Sequence, residues 1–359
     1  MSTKMTIGRS ETFASENGFE IPILMAPMAG ASPPSLAVAV ANNGGLGACG
    51  ALLMSPEAIA KWVAEVRAGT NGAFQINLWV PDPAPVRDPV NEENICQFLN
   101  KWGPEVLPQA AERPLQNFDD QCAAILSAGP AVISSIMGLY PAPFVSELKA
   151  QGIKWFANVT TVAEALEAEA AGADVLVAQG SEAGGHRGSF EASKAESQAV
   201  GLFSLLPAVV DAVAIPVVAT GGIADARGVA AAMIMGASAV QIGTGLLRTP
   251  EANLVSAWAD AIGSALPEDT LVTRAFSGRA GRSIRTAYVE AANSLDAPTP
   301  APYPIQRALT QAMRDEGSKA GDISRIQAWS GQSGHLAKAM PAGDLIRQIW
   351  TDAKRILSN

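Results

Sequence analysis

Eight short apolar segments, separated by stretches of helical pattern, constrain the fold of this chain more than any other feature. Near-continuous apolar strands with helices between them indicate a parallel sheet that is covered on both faces. Eight such units predict a closed (β/α)8 TIM barrel rather than an open sheet. The predicted strands are Ile23–Met28, Gly45–Cys49, Ala73–Val80, Ala131–Gly138, Lys154–Val159, Asp174–Gly180, Ile215–Gly221 and Ala239–Gly243.

The 359 residues fit one large domain with an accessory part. The barrel is expected to span residues 1–249, interrupted after the third strand by an insertion at 81–129 that lies over the barrel mouth. No strand is predicted after Gly245. Residues 250–359 are therefore expected to form a mostly helical region that either caps the active-site face or packs on the barrel wall.

Composition and charge exclude several classes of protein. The net charge of −9 disfavours nucleic-acid binding, which needs a basic face. Cys49, Cys96 and Cys122 are far apart and have no nearby histidine at ligand spacing, so we expect reduced thiols, a cytoplasmic location and no metal site. The N-terminal residues have no signal-peptide core, and no apolar run is long enough to cross a membrane. The oligomeric state, monomer or homodimer, stays open.

Polar and glycine residues follow the predicted strands, at the end of the barrel where such folds keep their functional groups. Glycine turns after the seventh and eighth strands could bind a phosphate through backbone N–H groups. Asn77, Gln179 and Gln241 could bond a heterocycle, or could instead bond the barrel itself. A phosphate with a flat polar ring favours flavin mononucleotide (FMN). The predicted cofactor-binding residues are Ala26, Pro27, Met28, Asn77, Gln179, Gly184, Gly185, Gly221, Gly222, Gln241, Ile242, Gly243 and Thr244.

His186 is the predicted catalytic residue. It is one of two histidines in the chain, and it lies in the glycine-rich loop that follows the sixth strand. Its imidazole could act as a base or, when protonated, attract an anion; the alternative is a loop histidine held by a local hydrogen bond. The second histidine, His335, is expected on the surface or in the cap.

Other side chains are assigned from their neighbourhoods. Trp79, Tyr288 and Tyr303 are expected to border the pocket, and the remaining tryptophans to be packing residues. Glu182 is expected to be a solvated loop carboxylate. Arg187 is expected either to assist an anion or to pair with an acidic neighbour.

Together these motifs resemble the class I nitronate monooxygenases over nearly the whole chain. The resemblance implies an FMN-dependent, metal-free oxidation of alkyl nitronates such as propionate 3-nitronate by O2, giving a carbonyl compound and nitrite. It also implies that His186 lies beside the flavin ring and removes a proton from neutral nitroalkanes. The segments that carry the resemblance are Ala26–Gly30, Asn77, Ala178–Gly188, Ala219–Ile223, Gln241–Gly245, Phe276–Arg279 and Trp329–Gln332.

Three alternatives remain open at this point. FMN-dependent, NAD(P)H-using enoyl-acyl-carrier-protein reductases share the barrel and a similar glycine–histidine loop. A flavin-binding protein without turnover would use the same cofactor residues. A barrel that binds a phosphorylated metabolite and no flavin would use only the glycine turns.

Overall fold

Eight parallel strands close into a barrel in a computed structural model that describes residues 3–358. The barrel order is β1-β9-β8-β6-β5-β4-β3-β2, and a parallel bridge between Leu24 and Leu46 joins the two end strands. This architecture confirms the predicted TIM barrel. The strands are β1 (Ile23–Met25), β2 (Gly47–Gly50), β3 (Phe74–Trp79), β4 (Val132–Ile136), β5 (Lys154–Val159), β6 (Val175–Gln179), β7 (Gly185–His186), β8 (Val217–Thr220), β9 (Ala239–Ile242), β10 (Thr270–Thr273) and β11 (Gly281–Ile284).

Many of the helices begin where the sequence supplies a capping side chain or a proline. Ser55, Thr161 and Asp225 each accept a hydrogen bond from a backbone N–H of the first turn of the helix that follows. The helices are α1 (Thr3–Glu16), α2 (Pro34–Ala41), α3 (Pro56–Gly69), α4 (Pro89–Leu99), α5 (Phe118–Ala128), α6 (Ala142–Ala150), α7 (Val162–Ala170), α8 (Leu202–Ala212), α9 (Ala226–Ile234), α10 (Ser256–Ser264), α11 (Ala287–Ala292), α12 (Ile305–Leu309), α13 (Gln311–Ala320) and α14 (Ala342–Ser358).

The last helix of the chain completes the ring of helices around the barrel. Helix α14 packs against α9 on one side and α2 on the other, the position between the last and first barrel helices. Its Leu345, Ile346 and Ile349 are buried in the main core. The C-terminal region therefore contributes to the barrel wall as well as covering its mouth.

The N-terminal helix α1, which the sequence did not predict, covers the opposite end of the barrel. Phe13 and Phe19 pack against inward-facing side chains of the strands, including Leu24, Phe156 and Val218. The two phenylalanine rings meet edge-on at 6.0 Å. This helix closes the end of the barrel that is remote from the predicted site.

The insertion after β3 packs partly on the barrel and partly on the C-terminal region. Helix α4 and the short 3-10 turn Pro108–Glu112 form a satellite core with α11, α12 and α13, in which Leu99, Tyr288 and Leu309 are buried. Helix α5, at the end of the predicted insertion, packs on α3 as a regular barrel helix. The added segment therefore lies between β3 and α5.

The expectation that no strand follows Gly245 is wrong. Strands β10 and β11 pair with each other, and β11 also pairs antiparallel with β7, so that Gly281 is the partner of His186. Both C-terminal strands have only four residues, and their pairing spans almost one hundred residues of chain to reach β7. Short runs of this kind carry little local signal. The loop of His186 is thus anchored by the C-terminal region.

Candidate active site

A cavity of about 480 Å³ opens at the carboxyl ends of the barrel strands. Its volume is within the range of small-molecule and cofactor sites. Gln179 and Ile242 are not among its lining residues. The predicted site residues that do line it are Ala26, Pro27, Met28, Asn77, Gly184, Gly185, His186, Gly221, Gly222, Gln241, Gly243 and Thr244.

The ring of His186 is held between three side chains at the cavity wall. Its Nε2 lies 2.7 Å from the Ser277 hydroxyl oxygen. The rings of Trp79 and Trp329 contact it edge-on, with centroids at 4.7 and 4.9 Å. Trp79 borders the pocket as predicted, whereas the assignment of Trp329 and Trp258 to packing alone is wrong, because both line the cavity.

The surroundings of His186 keep its imidazole neutral. Burial, followed by the positive charges of Arg307, Arg279 and Arg314, lowers the pKa of His186 to about 3. Near pH 7 the ring is therefore neutral and has a lone pair with which to accept a proton, although the lowered pKa also makes it a weaker base. Of the two roles considered for His186, these surroundings favour that of a proton acceptor. The arginines, rather than a protonated His186, would then attract an anion.

Two arginines and a tyrosine place polar groups at the cavity. Within residues 3–358, the Arg307 guanidinium has no hydrogen bond and no carboxylate at ion-pair distance, and the opposite charge that acts on it is that of Asp315, which also lines the cavity. The buried Tyr303 hydroxyl has no hydrogen-bond partner in the same residues. Arg314 is bonded to neutral groups, including the Gln327 side-chain oxygen at 2.9 Å. Burial lowers the pKa of Arg314 to about 9, so the group is still charged near neutrality. The cavity is therefore electropositive.

Sequence reasoning missed both of these arginines, because they lie in the C-terminal helices outside any glycine motif. Tyr303 lines the cavity, as predicted. The same prediction for Tyr288 is wrong: this side chain is in the satellite core, and its hydroxyl donates to the Ala275 carbonyl at 3.0 Å.

The Gln179 amide is bonded to the loop that carries His186. Its Nε2 donates to the His186 carbonyl at 3.0 Å, and its Oε1 accepts from the Gly188 N–H at 2.8 Å. Arg187, buried beneath the loop, donates to the Gly180 carbonyl at 2.7 Å. Both oxygens of Glu182 accept the Leu202 N–H at 2.9 Å, so this carboxylate is bonded in the fold rather than solvated. These side chains shape the loop rather than the cavity wall.

The two glycine turns are covered by a segment from the C-terminal region. Gly221 and Gly222 adopt φ of 108° and 70°, which favour glycine. The Gly331 N–H donates to the Thr244 hydroxyl at 2.9 Å, and the Ser333 hydroxyl donates to the Gly222 carbonyl at 2.6 Å. Gly331 and Ser333 both line the cavity, so the predicted anion site has a wall that the strand-end pattern did not reveal.

Amide side chains line the floor of the cavity. Asn77 donates to the Ser134 hydroxyl at 3.1 Å, and Gln75 donates to the Gln241 side-chain oxygen at 3.3 Å. The buried Oε1 of Gln75 has no partner among the described residues. Gln241 thus accepts a hydrogen bond inside the barrel and also lines the cavity. Both alternatives considered for it, a bond within the barrel and a position at the ligand site, therefore fit its position.

Some expectations concern groups remote from the cavity. His335 is exposed, as predicted. Cys49, Cys96 and Cys122 are buried free thiols. Across residues 3–358 no cluster of histidine, cysteine or carboxylate side chains is arranged to hold a metal ion. None of the described helices combines the length and apolarity needed to cross a membrane.

A family model described as nitronate monooxygenase matches residues 14–352. The chain belongs to the nitronate monooxygenase family. A probable nitronate monooxygenase from Staphylococcus aureus strain Newman is 36% identical over 345 residues, which cover 94% of this chain and 96% of the relative. Membership of this family makes the protein an oxidoreductase.

Two solved structures place the family among related barrels. Nitroalkane oxidase from Streptomyces ansochromogenes has a TM-score of 0.86 and 31% identity, covering 96% of this chain and 99% of its own. FabK from Thermotoga maritima has a TM-score of 0.76 and 29% identity, covering 96% and 97%. The chain therefore resembles solved enzymes over almost its whole length.

Proposed function

We propose that this member of the nitronate monooxygenase family is an FMN-dependent enzyme that oxidises alkyl nitronates, such as propionate 3-nitronate, with O2 to a carbonyl compound and nitrite. The observation that carries the proposal is a neutral imidazole, His186, on the wall of an electropositive cavity that also contains two glycine turns. A cytoplasmic location agrees with the three free thiols.

The residues at the barrel mouth fit a flavin mononucleotide. The buried Oε1 of Gln75, whose amide nitrogen bonds to Gln241, has no partner among the described residues and so leaves an acceptor free behind the cavity wall. The turns at Gly221–Gly222 and Gly243–Thr244 would hold the phosphate, and Asn77 and Gln241 would bond the ring edge. FMN, when bound, supplies the electron-transfer chemistry that no side chain provides.

The arginines would bind the substrate anion. Arg307 has a guanidinium without a hydrogen bond or ion pair within residues 3–358, and Tyr303 has a free buried hydroxyl at the same wall. Charge-assisted hydrogen bonds from such donors are about twice as strong as neutral ones. Propionate 3-nitronate carries a carboxylate besides its nitronate, so Arg307 and Tyr303 would hold one end while the other lies beside His186.

With a neutral nitroalkane, His186 would accept the proton from the substrate carbon and so produce the nitronate in the site; a nitronate substrate has already lost that proton. A base must lie within hydrogen-bond reach of that proton, and the neutral ring at the cavity wall satisfies the electrostatic part of this requirement. The rings of Trp79, Trp329 and Tyr303 would exclude water around it.

The test is anaerobic mixing of the FMN-loaded protein with propionate 3-nitronate, and separately with NADH, while the flavin absorbance is followed. The proposal predicts bleaching by the nitronate and release of nitrite once O2 is admitted. If the nitronate leaves the flavin oxidised, the proposal is wrong. A protein that stays colourless after incubation with FMN would favour a phosphorylated ligand instead.

A second candidate is an NAD(P)H-using enoyl-acyl-carrier-protein reductase. It is favoured by the likeness to FabK at 29% identity over nearly the whole chain. Bleaching by NADH without bleaching by the nitronate would support it. A flavin that neither compound reduces would leave a flavin-binding protein without turnover.

A further inference from the structure

Arg279 joins two loops that surround the cavity, although its own side chain is not part of the cavity wall. The guanidinium is 2% exposed. Its Nε donates to the Asp82 carboxylate at 2.8 Å, and its Nη2 makes a second bond to the same carboxylate. Its Nη1 donates to the Ser189 carbonyl at 2.9 Å. Since Asp82 follows β3 and Ser189 follows β7, Arg279 ties the insertion to the loop of His186.

The main chain of Arg279 brackets the hydroxyl of Ser277. The Arg279 N–H donates to the Ser277 oxygen at 3.3 Å, and the Ser277 hydroxyl donates to the Arg279 carbonyl at 3.2 Å. Gly278 lies between the two residues at φ 85°, a conformation that favours glycine. The tight turn and the buried ion pair together fix the direction of the Ser277 hydroxyl.

This arrangement determines what Ser277 offers to His186. A hydroxyl has one proton and two acceptor lone pairs. With its proton on the Arg279 carbonyl and one lone pair on the Arg279 N–H, Ser277 has one lone pair left for the His186 Nε2 at 2.7 Å. In this arrangement the ring carries its proton on Nε2, whereas a Ser277 proton directed to Nε2 instead would place the ring proton on Nδ1. Nδ1 has no hydrogen-bond partner within residues 3–358.

We propose that the Asp82–Arg279 ion pair is a positioning element, which fixes Ser277 as the acceptor of the His186 Nε2 proton and so makes Nδ1 the basic nitrogen of the site. The role of Nδ1 in turnover rests on the proposed function. The positions of the protons do not, and they can be measured without any substrate.

The protonation of the His186 ring can be measured without overlapping signals, because the chain has only two histidines. In a His335→Gln background, His186 is the only imidazole in the protein. With 15N-labelled histidine, long-range 1H–15N spectra of the flavin-loaded protein at neutral pH distinguish a protonated ring nitrogen from an unprotonated one. We expect a protonated Nε2 and an unprotonated Nδ1. A protonated Nδ1 would overturn the assignment.

The ion pair is tested by three variants in the same background. Asp82→Asn removes the carboxylate. Arg279→Lys keeps the positive charge but loses the bidentate contact with Asp82. Ser277→Ala removes the hydroxyl that accepts the His186 proton. Each is expected to replace the single tautomer by a mixture, with averaged shifts for the two nitrogens. Glu105→Gln, which neutralises an exposed carboxylate of the same insertion, should leave the spectrum unchanged.

The outcomes separate this proposal from the proposed function. Unchanged spectra in folded Asp82→Asn or Arg279→Lys protein would show that the ion pair does not position the ring, whatever the enzyme oxidises. Absence of nitrite from propionate 3-nitronate in the parent protein would overturn the function and leave the tautomer result in place. If Asp82→Asn does not fold because it leaves the buried Arg279 cation unpaired, Arg279→Lys carries the test, since it keeps a cation beside Asp82.

Discussion

At the scale of single residues, charge and hydrogen bonding around His186 determine what its ring can do. The nearby arginines disfavour the protonated form, while Ser277 bonds one nitrogen. Of the three arginines that act on the ring, Arg279 is paired with Asp82, whereas Arg307 and Arg314 form no ion pair within residues 3–358 and share the more distant charge of Asp315. The site is thus suited to an anionic substrate and a neutral base.

Replacement of the histidine should separate cofactor binding from turnover. His186→Asn is expected to retain FMN, because the glycine turns are unchanged, and to lose about 10²- to 10⁴-fold in kcat on neutral nitroalkanes, the range for a lost general base. Flavin content and nitrite release measure the two effects. Full activity in this variant would contradict the catalytic assignment, and His335→Asn is the control.

The low pKa of His186 makes a prediction about pH. Its ordinary value of 6.5 falls to about 3 in the folded protein, so the ring stays neutral throughout the physiological range. The value of kcat/KM for propionate 3-nitronate should therefore show no histidine ionisation between about pH 5 and pH 8. An acid limb near the ordinary value, absent from His186→Asn, would contradict this electrostatic picture.

The unpaired guanidinium predicts a difference between substrates. Arg307→Met should reduce kcat/KM for propionate 3-nitronate by about 10- to 100-fold, the equivalent of about 1.5–3 kcal/mol for a hydrogen bond to a charged group. Ethyl nitronate, which lacks the carboxylate, should be affected less. Equal losses on both substrates would place Arg307 on the nitronate end, and Lys61→Met, on the exposed face of α3, is the matched control.

At the scale of elements, the site is assembled from segments far apart in the chain. The loop of His186 is a strand of a small sheet completed by β11, and the segment Trp329–Ser333 covers the glycine turns. Each contact is between a barrel loop and the C-terminal region. The cavity therefore depends on the docking of that region as much as on the barrel.

Gly184 tests this contact between segments. An alanine Cβ would lie 2.4 Å from the Gly331 nitrogen and 2.6 Å from the Ser330 carbonyl carbon, and both are backbone atoms that cannot rotate away. Overpacking of this kind costs about 1–3 kcal/mol. We expect Gly184→Ala to weaken FMN binding, measured by fluorescence titration. Gly8→Ala, at an exposed helical glycine with open space around it, should leave FMN affinity unchanged.

At the scale of the whole molecule, a feature could be predicted when a short segment of sequence encodes it, and could not when it depends on contacts between distant segments. The eight barrel strands are buried on both faces, so each appears as an apolar run, and all were placed within a few residues. The position of His186 followed from its glycine loop. Ser277 and Gly331 lie in segments that carry the family resemblance, but their contacts with the site, like the position of Arg307, arise from tertiary docking that no spacing in the sequence reveals. Helix α1 lacks a clear apolar face in its sequence and was missed for that reason.

Helix α14 predicts where stability is concentrated. Ile346 is fully buried between α14 and the barrel, whereas Ile356 is 42% exposed on the same helix. Ile346→Ala should lower the free energy of unfolding by about 2–5 kcal/mol, as for other buried isoleucines. Ile356→Ala should change it by about 0.5 kcal/mol or less. Urea denaturation of the two variants measures both free energies of unfolding. Equal losses in the two variants would argue against α14 as part of the core.

Because the ring of helices closes with α14, the first and last described helices meet on one wall of the molecule, where α1 contacts α14. During synthesis the strand–helix units that precede α14 can emerge from the ribosome before α14 is made. The barrel wall is therefore completed only once α14 is available, and until then the nascent chain exposes the faces of α2 and α9 that α14 later covers.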